Sequence, residues 1–304
     1  MKLKTKDLLT LAELTQKEFS GLIDLSIKLK KELKQGKIKP LLKNKTLTMI
    51  FQKPSTRTRI SFETGMFQLG GHAINLSSND MQLSRGESVE DTAKTLSRYS
   101  DCVMARVYDH ELLNNLSKHS SIPVINGLSD SFHPCQILAD FMTIKENKKN
   151  LKGLKIAWIG DGNNVCNSMI YGAALSGIEM SIATPKGFQP DKTVIKESKK
   201  STNIELTADP FIATKNADVI VTDTYSSIHN LDPKRIKKFL PKYQVNSKLM
   251  SSAKKDAIFL HCLPAKREQE VTSSVIDGPQ SVVWDEAENR LHTQKALLAS
   301  IIRA

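Results

Sequence analysis

The sequence predicts an α/β fold of two similar, doubly wound parallel-sheet domains linked by a bridging helix. Apolar β-type runs alternate with helical patterns along the chain, which is typical of a parallel sheet with helices on both faces. The chain has 304 residues, which is long for a single hydrophobic core. The alternation starts again near residue 154, after a Lys/Asn-rich stretch at 145–152, so this stretch is the predicted domain boundary.

The first half opens with a capping-box signal, Thr15-Gln16-Lys17-Glu18, followed by leucines on one helical face. The elements predicted after it are strand 46–51, a helix after Pro54, strand 72–76, a polar loop at 77–87, a helix from Ser88, strand 101–107, helix 111–118 and strand 123–126. A helix over about residues 136–147 then bridges to the boundary. We therefore predict a first domain at 1–147.

The second half begins with strand 154–159, which runs into Gly160-Asp161-Gly162. Further strands are predicted at 179–183, 204–206, 219–222, 258–261 and 282–284, and a last helix at 286–302. The second domain is therefore predicted at 148–285.

The chain is basic, with 44 Lys and Arg against 32 Asp and Glu, a net charge of +12. The lysines spread along apparent exposed helix faces, and aromatic residues, only 6% of the chain, do not interleave with them. A stacking platform for bases is therefore absent, and nucleic acid is not a predicted partner. No apolar run has the length of a membrane span, and the N-terminus lacks the features of a secretory signal, so we expect a cytoplasmic protein.

The cysteine pattern argues against a zinc site. Cys102, Cys135, Cys166 and Cys262 are far apart and form no CxxC pair. In a cytoplasmic chain they are expected to stay reduced. No metal and no organic cofactor is predicted.

Residues 55–59, Ser-Thr-Arg-Thr-Arg, lie between an apolar strand and a helix. A strand-to-helix turn leaves backbone N–H groups unpaired at the positive end of the helix, which suits a bound phosphate. Hydroxyl and guanidinium groups add further donors. We interpret this segment, with Pro54 before it, as an anion-binding turn.

Other polar residues follow predicted strands, namely Arg106, His133, Asn163-Asn164, Asp223 and His261-Cys262. In open α/β sheets ligands bind at the carboxyl ends of strands, so these residues are expected to converge on one cleft. An alternative comes from Gly160-Asp161-Gly162, which begins like a dinucleotide-binding turn. The third glycine of that fingerprint would fall at Val165, so the motif is incomplete.

Three motifs in order, Ser55-Thr56-Arg57-Thr58-Arg59, His133-Pro134-Cys135-Gln136 and His261-Cys262-Leu263-Pro264, resemble the aspartate/ornithine carbamoyltransferase family. The resemblance covers nearly the whole chain. The third motif, with Cys262 as its second residue, resembles the ornithine branch of that family. It implies transfer of the carbamoyl group of carbamoyl phosphate to the δ-amine of ornithine, giving citrulline and phosphate in arginine metabolism. It also implies a homotrimer, or a multiple of trimers, with active sites at subunit interfaces.

The resemblance implies residue roles as well. Carbamoyl phosphate contacts would be Ser55, Thr56, Arg57, Thr58, Gln82, Arg106, His133, Pro134, Cys135, Gln136, Cys262, Leu263 and Arg290. Ornithine contacts would be Asn164, Asp223, Ser227 and Ile228. Arg106, His133 and Cys262 would be catalytic, with Cys262 shaping the amino-acid site rather than attacking. Gln82 would be lent across a subunit interface, and the C-terminal helix, about 286–304, would pack on the first domain.

The chain departs from the family at one loop. The ornithine branch carries Ser-Met-Gly after its Asp, whereas this chain has Ser227-Ile228-His229. Ile for Met is mild because both are apolar and similar in volume, but His for Gly removes backbone freedom. A related amine such as putrescine, or an acylated ornithine, therefore stays open as the acceptor. A binding or regulatory relative without turnover is the remaining alternative.

Overall fold

The computed structural model of the chain describes residues 1–225 and 233–302. The chain forms two compact units, one of Met1–Met142 with Glu288–Ala304 and the other of Thr143–Ala287. Each unit contains a parallel β-sheet with helices, so the predicted fold class is confirmed. In the described ranges we find no helix with both the length and the apolar character needed to cross a bilayer.

The first unit has a four-stranded sheet in the order β2-β1-β3-β4. Its elements are α1 (Gln16–Lys34), β1 (Thr46–Phe51), α2 (Thr56–Gln68), β2 (His72–Ser77), α3 (Val89–Tyr99), β3 (Cys102–Arg106), α4 (His110–His119), β4 (Val124–Leu128) and α5 (Pro134–Lys148). The predicted polar loop holds two short 3-10 helices, Ser78–Asp80 and Gln82–Arg85. All five residues of β3 are buried, as expected for a central parallel strand covered on both faces.

The capping box of α1 is present as predicted. Thr15 Oγ1 accepts a hydrogen bond from Glu18 N at 3.2 Å, and a Glu18 carboxylate oxygen accepts one from Thr15 N at 3.0 Å. The reciprocal bonds satisfy two N–H groups that the helix itself cannot pair. Farther along, Phe19 packs edge-to-face on Phe141 of α5, with ring centroids 5.2 Å apart, so α1 is fixed against the core of its unit.

The second unit has a five-stranded sheet in the order β7-β6-β5-β8-β9. Its elements are β5 (Lys155–Ile159), α6 (Asn164–Ser176), β6 (Glu179–Ala183), α7 (Lys192–Ser198), β7 (Ile204–Thr207), α8 (Pro210–Thr214), β8 (Val219–Thr222), α9 (Pro233–Ile236), α10 (Ser247–Met250), β9 (Ile258–Leu260), α11 (Ser273–Ile276) and α12 (Val283–Ile301). The helices α5 and α12 each run across the division between the units.

The strand predicted at 282–284 is wrong. Val283 begins α12, and Glu286 N already donates to Val282 O at 2.9 Å in the first helical turn. The apolar run had suggested a strand, but Asp285 and Glu286 follow it directly and favour a helix start by complementing the helix dipole. Only one contact of strand type remains, the isolated bridge between Ser281 and Phe259.

Candidate active site

Each sheet has a point where the strand order reverses. In the first sheet, β2 lies on one side of β1 and β3 lies on the other, so the strand order reverses between β1 and β3. In the second sheet the same reversal separates β6 and β7 from β8 and β9, so it lies between β5 and β8. At such a reversal, the loops that follow the two adjacent strands lead in opposite directions and leave a crevice between them. Ligands of doubly wound sheets bind in this crevice.

The predicted anion-binding turn follows β1 at the reversal of the first sheet. Ser55 is the N-cap of α2, and its Oγ accepts a hydrogen bond from Thr58 N at 3.2 Å. Thr58 is buried and Arg57 half-buried, whereas Thr56 is exposed. Arg59 is exposed, and its Nε lies 3.5 Å from a carboxylate oxygen of Glu63. Arg57 is the arginine of this turn whose charge acts on the buried histidine described next.

A buried histidine, His133, lies among three arginines of the first unit. Burial lowers the pKa of His133 well below its usual value, and the charges of Arg290, Arg106 and Arg57 lower it further. Arg106 and Arg290 are themselves 8% and 3% exposed. The imidazole is therefore neutral, and the arginines, which we call the guanidinium cluster, supply a concentrated positive field suited to a phosphorylated anion.

Arg290 ties α12 to both predicted motifs of this unit. Its Nη1 donates to Gln136 Oε1 at 2.6 Å, and its Nη2 donates to Thr58 Oγ1 at 3.2 Å. Gln136 in turn donates from Nε2 to Asp140 Oδ1 at 2.8 Å, one helical turn along α5. The guanidinium fork thus holds a hydroxyl and an amide in fixed positions beside His133.

Lys53 is a buried cation that the sequence analysis did not assign to the site. Only 1% of it is exposed, and its Nζ lies 4.0 Å from the centre of the Tyr108 ring. Burial, with a contribution from Arg106, lowers its pKa to about 8. No local signal marks a lysine in the segment Phe51-Gln52-Lys53-Pro54 as buried, because its burial depends on residues far along the chain.

Pro134 and Cys135 lie at the start of α5, and their contacts with carbamoyl phosphate stay predictions. Pro134 is the first residue of α5, where its missing N–H costs nothing. The Cys135 thiol is fully buried and donates to Asn126 O at 3.4 Å. Burial raises the pKa of this thiol to about 12, so Cys135 does not act as a nucleophile.

At the reversal of the second sheet, Asn163, Asp223 and Cys262 form a polar cluster. Asn163 Nδ2 donates to Asp223 Oδ2 at 2.7 Å, and the Cys262 Sγ donates to Asp223 Oδ1 at 3.3 Å. Asn163 is also the N-cap of α6, accepting from Val165 N and Cys166 N. Both Asn163 and Asn164 belong to the predicted strand-end residues, but the family resemblance implies an ornithine contact only for Asn164, which is 8% exposed. The N-cap pattern at Asn163 is the local signal for its position.

The turn that follows β9 is fixed by His261. Its Nδ1 accepts from Leu263 N at 3.0 Å, so Nε2 carries the proton and donates to Glu270 Oε1 at 3.1 Å. Both side chains are fully buried. Leu263 has a φ of 56°, an unfavourable conformation for a γ-branched residue, and the hydrogen bond from its N–H stabilises it there.

The glycines after β5 serve packing within the protein, contrary to the dinucleotide alternative. A methyl group on Gly162 would lie 2.2 Å from Pro190 N and 2.6 Å from Phe188 O. One on Gly160 would lie 2.9 Å from the Tyr225 ring, and Gly160 has a φ of 125°. The space that a pyrophosphate would need beside these glycines is filled by protein atoms.

Three of the predicted substrate contacts, Gln82, Ser227 and Ile228, are not among the residues described above. Gln82 begins a 3-10 helix and is exposed. Ser227 and Ile228, together with His229, lie outside the described residues.

Among residues 1–225 and 233–302, one set of side chains has the chemistry of metal ligands. Ligand-type atoms of Asp223, His261 and Cys262 lie within 4.8 Å of one another. All three are already hydrogen-bonded to protein groups, and the absence of a metal stays a prediction.

Family models match both halves of the chain. Residues 6–146 match the carbamoyl-P binding domain of aspartate/ornithine carbamoyltransferases, and residues 152–301 match the Asp/Orn binding domain. The chain belongs to the aspartate/ornithine carbamoyltransferase family. The resemblance inferred from three motifs is thereby confirmed, and membership of this family makes the protein a carbamoyltransferase.

Curated relatives are similar over the whole length. The ornithine carbamoyltransferase of Cenarchaeum symbiosum is 60% identical over 301 residues, 99% of each chain. That of Pyrococcus horikoshii is 51% identical over 99% of this chain and 96% of its own. Among solved structures, the ornithine carbamoyltransferase from Pyrococcus furiosus has a TM-score of 0.95 at 50% identity, covering 99% of this chain and 98% of its own. The Thermus thermophilus enzyme has a TM-score of 0.90 at 41% identity, covering 98% and 99%.

Proposed function

We propose that the protein is an ornithine carbamoyltransferase, converting carbamoyl phosphate and L-ornithine into L-citrulline and phosphate. The observation that carries the proposal is the 50–60% identity, over nearly the full length, to relatives that bear this name. The residue chemistry of both units supports it. The product is a ureido amino acid, so we place the reaction in arginine metabolism.

The first unit is proposed to bind carbamoyl phosphate. The amides at the start of α2, the Ser55 hydroxyl and the guanidinium cluster offer donors to a phosphate dianion. Thr58, Arg106 and the neutral His133 would donate to the carbonyl oxygen as negative charge develops on it. Each preorganised donor of this kind contributes roughly 3–4 kcal/mol to transition-state stabilisation.

The second unit is proposed to bind ornithine. The carboxylate oxygens of Asp223 are acceptors suited to an ammonium group, and Asn163 and Cys262 both donate hydrogen bonds to it. Asn164, next to Asn163 in the chain, is a proposed contact as well. Cys262 donates a hydrogen bond to Asp223, and in the proposed role it shapes and polarises the amino-acid site without attacking the substrate. Ser227 and Ile228 stay predicted contacts.

The proposed step forms one C–N bond and breaks one C–O bond. The neutral δ-amine attacks the carbamoyl carbon, a tetrahedral oxyanion forms, and its collapse expels the phosphate. The amine gives up one proton, which ends on the phosphate, so HPO₄²⁻ leaves. No oxidant or reductant is involved.

The acceptor is tested by assaying the purified chain with carbamoyl phosphate and ornithine, putrescine, N-acetylornithine or aspartate. We expect kcat/KM for ornithine, measured as ureido product, to exceed the other values by about a hundredfold or more, because a site built to hydrogen-bond the polar groups of one substrate rejects analogues that lack any of them. A preference for putrescine or N-acetylornithine would overturn ornithine as the acceptor. Absence of product with every amine would identify a non-catalytic relative.

A homotrimer with shared active sites is proposed from the edge of the first sheet. β2 is an edge strand, and its Ile74 is 39% exposed. Ile60 and Phe67 of the neighbouring α2 are 57% and 80% exposed. A hollow of about 480 Å³ lies between α2 and β2 here. Exposed apolar surface at an edge strand suits a second copy of the chain, with Gln82 entering its active site.

Mixing two inactive variants tests this sharing. Gln82→Ala and Arg106→Ala subunits, unfolded and refolded together, should regain part of the activity, because a mixed trimer contains an interface with both residues intact. Light scattering should give three times the 33.9 kDa chain mass, or a multiple of it. A monomer, or no recovery from mixing, would contradict the proposal. We also propose a cytoplasmic location, for which the four free cysteines are the support.

A further inference from the structure

Arg235, in the short helix α9, connects the two loops at the reversal of the second sheet. Its Nη2 forms an ion pair with Asp161 Oδ2, in the turn after β5. Its Nε donates to Tyr225 O at 3.0 Å, in the segment after β8. One planar side chain thus bonds to both loops, which only a guanidinium can do with this geometry.

Aromatic rings enclose this contact. The guanidinium carbon of Arg235 lies 4.7 Å from the centre of the Phe188 ring and 5.6 Å from that of Phe239. Phe239 stacks on Tyr225 with centroids 4.4 Å apart and an angle of 9° between the planes. Only 18% of the Arg235 side chain and 12% of the Asp161 side chain are exposed. The surrounding rings reduce solvent screening, so the ion pair restrains the loops more than a surface pair would.

The two loops carry the polar cluster of the second unit. Asp161 lies two residues before Asn163, and Tyr225 lies two residues after Asp223. The hydrogen bond of 2.7 Å between Asn163 and Asp223 therefore joins the same two loops that Arg235 joins. The turn after β5 is held from inside as well, because Trp158 Nε1 donates to Asp161 O at 2.9 Å.

We propose that Arg235 and Asp161 are positioning residues for the amino-acid substrate, holding residues 161–163 after β5 and residues 223–225 after β8 at the spacing that aligns Asn163 and Asp223. The inference rests on the proposed function, since it takes ornithine as the ligand of this cluster. Neither residue touches the substrate. They affect its binding by aligning Asn163 and Asp223, which are the proposed contacts.

The test is a comparison of Asp161→Asn and Arg235→Lys with the wild type in the complete enzyme. Asp161→Asn keeps the shape of the side chain and removes the charge, and Arg235→Lys keeps the charge and removes the planar fork. The matched control is Asp277→Asn, which breaks an exposed pair of the same kind, Arg267 with Asp277 at 2.6 and 2.9 Å. Thermal unfolding checks that each variant is folded.

Two readouts separate positioning from general damage. The KM for ornithine should rise about 10- to 100-fold in both variants, because small displacements of binding groups have effects of this size. Affinity for phosphonoacetamide, a stable analogue of carbamoyl phosphate, should stay within about twofold of wild type by calorimetry, and Asp277→Asn should change neither quantity. An unchanged KM for ornithine, or an equal loss of phosphonoacetamide affinity, would overturn the inference. Absence of citrulline from the wild type would instead overturn the proposed function.

Discussion

At the scale of single residues, the first unit combines a neutral imidazole with fixed positive charge. His133 is kept uncharged by burial and by three nearby arginines. A neutral imidazole donates one hydrogen bond without adding a fourth positive charge, whereas the arginines stay charged at any physiological pH. This division of roles suits a ligand with a phosphate at one end and a polarised carbonyl at the other.

Arg290 provides a direct test of that arrangement. Replacing it with glutamine removes the fork that holds Gln136 and Thr58. We expect Arg290→Gln to weaken phosphonoacetamide binding by about 10- to 100-fold, as expected when a buried charge that binds an anion is removed. The measurement is calorimetry, and Arg98→Gln, at an exposed arginine of α3 in the same unit, is the control. Equal affinities in the two variants would contradict a role for Arg290 in anion binding.

At the scale of elements, the sequence predicted the long helices and the buried strands well. Their signals are local, such as the capping box at Thr15 and the fully apolar core of β3. The helices α8 to α11 have four or five residues each and were not predicted, because so short a segment shows no helical period. Residues 282–284 were misread because three residues cannot distinguish a strand from the first turn of a helix.

In the candidate site, too, residues with a local or topological signal could be predicted, whereas residues placed by long-range packing could not. Polar residues at strand ends, such as Arg106 and Asp223, could be predicted because chain topology places them at the reversal of each sheet. Lys53 and Arg235 could not, because their burial and partners come from packing between distant segments. Roles for Gln82 and Arg290 entered the sequence prediction through the family resemblance, not through the chemistry of neighbouring residues.

Gly162 tests the packing of the turn after β5. Its Cα hydrogen faces the backbone of residues 188–190, which cannot move aside like the end of a side chain. We expect Gly162→Ala to lower the free energy of unfolding by about 1–3 kcal/mol, the usual cost of overpacking. Urea denaturation followed by circular dichroism measures this change.

The matched control is Gly21→Ala, in the middle of α1. The nearest atom to the added methyl group is the sulfur of Met1, at the end of a flexible side chain. This substitution should be neutral or raise the free energy of unfolding by up to about 1 kcal/mol, because alanine favours a helix over glycine. Equal destabilisation by the two substitutions would show that the close approach at Gly162 has no special effect.

At the scale of the whole molecule, buried histidines make stability depend on pH. His292 of α12 is 2% exposed, and burial lowers its pKa from 6.5 to about 4, although a hydrogen bond to Glu288 opposes the shift. Between these two values the unfolded chain binds a proton that the folded chain does not. This histidine therefore makes the folded state less stable as the pH falls from 6.5 towards 4.

Replacing the histidine should weaken that dependence. We expect the Tm of His292→Gln to fall less steeply than that of the wild type over the same pH range, as measured by differential scanning calorimetry. A His292→Gln slope as steep as that of the wild type would contradict a neutral, buried His292.

Transfer of the carbamoyl group to ornithine is best observed by following the carbamoyl carbon itself. Carbamoyl phosphate labelled with ¹³C is incubated with ornithine and enzyme, and ¹³C and ³¹P NMR spectra are recorded together. We predict one new carbon resonance, that of the ureido group of citrulline, growing at the same rate as inorganic phosphate. Release of phosphate with the label in bicarbonate or cyanate, or no enzyme-dependent change, would contradict the account.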